Sequence, residues 1–148
     1  MKQIKSCLSA VVVTACLGTV VLAHGGVKNA AVMARMDAMK SIGDAVKIMG
    51  TMNKGTVAFD VETARTAAKT VALHAAQTPL LFQAPETDPK SEALPAIWDR
   101  FDDFSAKAQS MEKAANDLSQ SLSTPEDLSN GMIQLGATCK ACHKEYRK

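Results

Sequence analysis

The sequence predicts an all-α protein, an antiparallel four-helix bundle, on three observations. Alternating apolar and polar residues of the kind that make half-buried strands are absent, while Ala, Lys, Glu, Gln and Met are plentiful. Four stretches of similar length carry apolar residues at steps of three and four. Two short breaks and one longer, Pro-rich break separate them, a pattern that suits antiparallel neighbours. At 148 residues the chain reads as one domain, long enough to bury a real core.

The first helix is expected over Lys28 to Lys54. Val32, Met36, Met39, Gly43, Val46 and Gly50 recur there at helical spacing, and Gly55 is a stop. The second is expected from Asp60 to Gln77, with Val61, Ala64, Ala68, Val71 and Ala75 on one stripe. "TPLLFQAPETDPKSEALP" then brings prolines at 79, 85, 89 and 95, a density that rules out a continuous helix and gives the longest loop. The third helix runs from Ile97 to Leu122, and Trp98, Phe101, Phe104, Ala108, Met111, Ala115 and Leu118 mark its core face. For the last helix "STPED" supplies a Ser or Thr cap, Pro125 in the first turn, and Glu126 and Asp127 against the positive end of the dipole. Leu128, Met132, Leu135, Cys139, Cys142 and Tyr146 continue one apolar face, so the cysteines point where a core should be. Most of these stripes read as plain packing. Gly43, Gly50, Ala64 and Ala68, however, are small residues on inward stripes, and they would leave a gap that a large flat cofactor could fill.

The opening "MKQIKSCLSAVVVTACLGTVVLAHGG" has a basic start at Lys2 and Lys5, an apolar run from Cys7 to Ala23 and small residues at its end. That is the layout of a secretory signal peptide over residues 1–23, with the mature chain starting near His24. Lipidation at Cys16 is the competing processing, and an uncleaved anchor would be short for a full span. Without residues 1–23 the chain keeps 15 basic and 15 acidic residues, so it shows no nucleic-acid footprint. Its cysteines are then Cys139 and Cys142, a single close pair with no disulfide framework to build.

That pair sits in "TCKACHKEYRK", with His143 directly after Cys142. Structural zinc would need a second knuckle, and the other mature histidines are His24 and His74. A thioredoxin-like dithiol belongs at a helix start after a strand, whereas this pair lies near a helix C-terminus. Haem attachment meets neither objection. Thiols three residues apart can add to the two vinyl groups of one porphyrin, and the adjacent imidazole can turn onto the iron. Export agrees, because the attachment takes place outside the cytoplasm.

A haem-attachment motif near the C-terminus of a four-helical chain resembles the class II cytochromes c, the cytochrome c-prime family. The likeness covers residues 28–148 and rests on "CKACHKEYR", "RMDAMKSIGDAVKIMGTMNKG" and "AIWDRFDDF". It implies one covalent haem c, with thioethers from Cys139 and Cys142 and His143 as the proximal iron ligand. Arg147 would place a positive charge beside the proximal face, Arg35 would approach a haem propionate, and Met39 would face the distal side of the iron. Met36 stands where many members carry glutamine. The resemblance also implies redox partner proteins, a bacterial periplasmic location and homodimers formed through the first two helices.

Two functions follow from the sixth coordination position. With Met39 bound opposite His143 the iron is saturated and serves as a one-electron carrier, the reading favoured here; with the position open it binds small neutral gases such as nitric oxide or carbon monoxide. No serine, histidine and aspartate set, phosphate loop or second metal site accompanies the motif, so the chain reads as a non-enzyme.

Overall fold

The computed structural model describes residues 26–148; the expected leader over residues 1–23, and with it Cys7, Cys16 and the expected start at His24, lies outside them. α1 spans Ala30–Asn53. It begins where Asn29, in extended conformation, accepts the Val32 N–H on its side chain at 3.0 Å. Past its end Gly55 takes φ 69°, a left-handed turn that a side chain would strain. α2 spans Val61–Leu81, capped by the Asp60 carboxylate on the Thr63 N–H at 2.7 Å.

α2 runs through Pro79 rather than stopping at Gln77. A proline removes one intrahelical donor, but here the lost bond lies in the last turn and that turn is held from outside. Arg35 of α1 donates from Nε to the Leu81 carbonyl at 2.9 Å.

The expected third helix is two: α3, Ala96–Asp99, and α4, Phe101–Ser121. They meet at Arg100, whose φ of −133° and ψ of 48° are not helical. Its side chain pairs with Glu145 at 2.7 Å and lies over the Tyr146 ring at 5.0 Å, contacts that apolar periodicity cannot reveal.

α5 spans Pro125–Tyr146 and opens on a full capping box, in which Thr124 and Asp127 satisfy each other's backbone N–H groups. Among the described residues the β structure is an isolated bridge between Ala93 and Arg147. The expected antiparallel four-helix bundle is therefore present, with α3 as a short addition ahead of the third long helix.

α2 packs most extensively on α4 and α1, α5 packs on α4, and α1 meets α5 only sparsely. Ala64, Ala67, Ala68, Ala72 and Ala75 of α2 are buried, as are Ala108 and Ala115 of α4. Small side chains bring these backbones together, so Ala64 and Ala68 close a helix seam and do not open a gap. Along α1 the face buried by protein is Val32, Arg35, Ala38, Ile42, Ala45 and Met49. Met36, Met39 and Val46, on the stripe beside it, are half-buried.

α5 approaches α4 closely at Gly131, where an added Cβ would come within 2.2 Å of Leu118 Cδ1 and 3.0 Å of its Cγ. Leu118 is itself 4% exposed and cannot swing into solvent without leaving the core. Gly131→Ala should lower the unfolding free energy by about 1 kcal/mol, an overpacking cost of about 1–3 kcal/mol offset by roughly 1 kcal/mol of helix propensity. Urea denaturation measures this, and an unchanged midpoint would show that Leu118 moves aside freely.

Candidate functional site

The sparse seam between α1 and α5 opens into a cavity of about 650 Å³. Thr138, Cys139, Cys142, His143, Tyr146 and Arg147 bring α5 to it, and Val32, Arg35, Met36, Met39, Gly43 and Val46 bring α1. α4 closes one side with Phe104, Ala108 and Met111, and the loop after α2 closes another with residues 90–93. All six residues singled out in the sequence, Cys139, Cys142, His143, Arg35, Arg147 and Met39, thus line one space. Of the four small residues offered as cradle, Gly43 alone lines it; a Cβ there would meet nothing within 4 Å.

α5 is placed by its far end. The Tyr146 ring meets Phe104 edge-on at 5.4 Å, its hydroxyl donates to Asp103 at 2.5 Å, and Cys142 packs on the same aromatic cluster. The backbone is tied as well, by Leu94 N to Tyr146 O at 3.0 Å and Lys148 N to Glu92 O at 2.9 Å.

Both cysteines are half-buried free thiols. Burial pushes the Cys139 thiol up and raises Cys142 to about 11, so both are held as neutral thiols rather than thiolates. His143 is held below its ordinary value, first by burial and then by the Arg147 charge. Neutral imidazole is the form that binds a metal.

Arg35 is 3% exposed. Its Nε, Nη1 and Nη2 donate to the carbonyls of Leu81, Glu86 and Ala84 at 2.9, 2.7 and 2.6 Å. The guanidinium also lies 4.7 Å from the Phe82 ring centroid and 5.5 Å from that of Trp98, whose indole donates to Phe82 O. The sequence expectation placed Arg35 toward a propionate; three of its five N–H groups are committed to the turn after α2. Arg147 forks onto Glu92 at 2.6 and 2.5 Å, on the cavity wall beside His143. His74, expected as an ordinary half-buried helix residue, is half-buried, does not line the cavity and leaves its Nδ1 without a hydrogen bond.

Lys90, Ser91, Glu92 and Ala93 line the cavity without any sequence signal beyond their place in a Pro-rich loop. Lys40 and Lys107 also lie on the wall. Its charged groups are thus mainly cationic, while its body is apolar.

Among the described residues no three or more His, Cys, Asp and Glu side chains gather around a metal-sized site. A single imidazole and a thioether suit a metal already held in a larger group. The cavity fits a haem on each count: a thiol pair for the vinyl edge, a neutral imidazole beside it, apolar walls for the macrocycle and cations for its carboxylates. Such a pocket inside an all-helical bundle is suited to a covalently held haem.

Comparison with known proteins gives the family. The family model described as Cytochrome C' matches residues 30–147. Cytochrome c-556 of Agrobacterium tumefaciens (strain B2A) is 38% identical over 112 residues, 74% of this chain and 89% of its own. Cytochrome c-554 of Cereibacter sphaeroides is 39% identical over 105 residues, 68% of this chain and 79% of its own. Among solved structures, cytochrome c' from Rhodopseudomonas palustris superposes with a TM-score of 0.76 at 24% identity, covering 82% of this chain and 98% of that one. Cytochrome c prime from Shewanella frigidimarina does so at 0.73 and 29%, covering 80% and 94%. The chain belongs to the cytochrome c' family. It is a c-type cytochrome that carries covalently attached haem c and transports electrons.

Arg35→Ala should cost at least about 1.5–3 kcal/mol, the worth of one charge-assisted hydrogen bond, because it strips three carbonyls at once. Denaturant titration of the haem-bound protein tests this. A change within a few tenths of a kcal/mol would show that water serves those carbonyls equally well.

Proposed function

We propose that this cytochrome is a low-spin one-electron carrier in which Cys139 and Cys142 form the thioethers, His143 is the proximal iron ligand and Met39 the distal one. The observation that carries this is the placing of Met39 on the wall of the cavity that also holds the Cys139 to His143 turn. When bound, the haem would supply a ferric/ferrous couple, and a Met thioether among the iron's ligands would favour the ferrous side.

The chain's own residues do the rest. Met39 is unbranched and half-buried, so its sulfur can swing without forcing the helix. Gly43, one turn on, leaves room for the flat ring against α1. Val32, Ile42 and Phe104 exclude water, and Arg147 sets a positive charge beside His143. Reading the protein as a carrier and not an enzyme draws support from the cavity residues on the same stripe of α1 as Met39, namely Met36, Gly43 and Val46, whose side chains neither give nor take a proton.

The carrier works on redox partner proteins in the periplasm in this reading, after cleavage near His24. Among the described residues no helix is long and apolar enough to cross a membrane. Pairing of two copies through α1 and α2 draws support from Ile48 and Leu73, which stand 44% and 57% exposed on those helices.

Met39→Ala should turn a low-spin spectrum high-spin and make carbon monoxide bind readily. A wild type that is already high-spin and binds carbon monoxide, with the variant unchanged, would establish the gas-binding reading instead. His143→Ala should keep the haem on the chain but alter the spectrum far more than His74→Ala. Cys139→Ser with Cys142→Ser should release all haem into acid and organic solvent, read as loss of the haem mass from the denatured polypeptide. Retained haem in that double variant would overturn the thioether assignment.

A further inference from the structure

We infer that Lys90 is the cation that meets a haem propionate in this chain. The inference deepens the reading just given and rests on it. The cavity wall carries five basic side chains, Arg35 and Lys40 from α1, Lys90 from the loop, Lys107 from α4 and Arg147 from α5, against one carboxylate, Glu92. His143 and Tyr146 are the other titratable oxygen and nitrogen groups on it. Haem brings two propionates, and carboxylates at a partly enclosed site need cations or N–H groups.

Most of the basic groups are already engaged. Arg35 is bound to three backbone carbonyls and lies against two aromatic rings. Lys107 contacts both oxygens of Asp103 at 2.8 Å and approaches Glu145 at 3.6 Å. Arg147 is forked onto Glu92. Lys40 pairs with Asp44, one turn further along α1, in an exposed contact of little weight, so it is the rival. Met36 has no donor to offer.

Among the described residues Lys90 makes no side-chain hydrogen bond or ion pair, yet its place is fixed. Its backbone N–H donates to Asp88 Oδ1 at 2.9 Å, while Asp88 Oδ2 accepts from Lys28 N and Asn29 N at 3.0 and 3.2 Å. Asp88 thus staples the loop to the start of α1 and fixes the backbone from which the Lys90 side chain reaches the cavity wall. A lysine on a four-carbon stem can turn onto a carboxylate without moving that backbone.

The test is a redox titration of the haem-bound protein across pH, for wild type, Lys90→Gln, Lys90→Arg, Lys40→Gln and Lys69→Gln, the last on the exposed face of α2. A cation beside a propionate lowers its pKa and favours the less positive, ferrous iron. Lys90→Gln should therefore lower the midpoint potential and move the propionate-linked bend of the potential-against-pH curve to higher pH. Lys90→Arg should keep both near wild type, and Lys69→Gln should change neither. A Lys90→Gln curve that matches Lys69→Gln, or the same two shifts in Lys40→Gln but not in Lys90→Gln, would overturn the assignment. Haem mass on the denatured chain and the axial-ligand spectrum are read on the same samples. Their failure strikes the haem-ligand reading, whereas an absent shift with both intact strikes Lys90 alone.

Discussion

The turn that carries Cys139, Cys142 and His143 is only as well placed as the end of its helix, and that end hangs on Tyr146. Its ring is 3% exposed, set edge-on to Phe104 with Arg100 above it, and its hydroxyl reaches Asp103. A buried tyrosine that satisfies its hydroxyl combines apolar burial with a directional bond. The two residues that follow Tyr146 are bonded to the loop at Glu92 and Ala93. One residue thereby ties α5 to α4 and to the loop that walls the cavity. With α5 so committed to α4, it touches α1 little, and the cavity occupies the space left between them.

α1 answers this arrangement with two stripes one residue apart. Ala38, Ile42, Ala45 and Met49 pack on protein, while Met36, Met39, Gly43 and Val46 are turned toward the cavity or its edge. Both have helical spacing, so a sequence reading that looks for one apolar face finds the second and counts it as core. In a helix that serves a cofactor, the residues left half-exposed by the protein are as informative as the buried ones.

The bundle was legible because helix periodicity, caps and loop lengths are local, and each is written within a few residues. "STPED" becoming a full capping box is an example. The residues that meet at the cavity were legible in part, Cys139, Cys142 and His143 through their motif and Arg35 and Met39 of α1 by resemblance. What stayed hidden depends on contacts distant in sequence. Pro79 survives inside α2 because Arg35 reaches its last turn, and the chain breaks at Arg100 where that side chain meets Glu145 and Tyr146. Lys90 looks like any loop lysine until Asp88 is seen to fasten the loop to α1. Ala64 and Ala68 misled for a related reason: a small residue on an inward stripe serves close helix approach as readily as it makes room for a ligand.

The chain has one tryptophan, and its placing gives the protein a property of another kind. Trp98 donates its indole N–H to Phe82 O and packs on the aromatic cluster that Cys142 also touches. Porphyrin absorbs in the range where indole emits, so a haem held through Cys142 should quench Trp98 in the folded protein by energy transfer. Unfolding should lengthen the separation while the covalent haem stays on the chain, and the emission should return. Such a chain would contain its own optical gauge of compactness, a donor and an acceptor supplied without labelling.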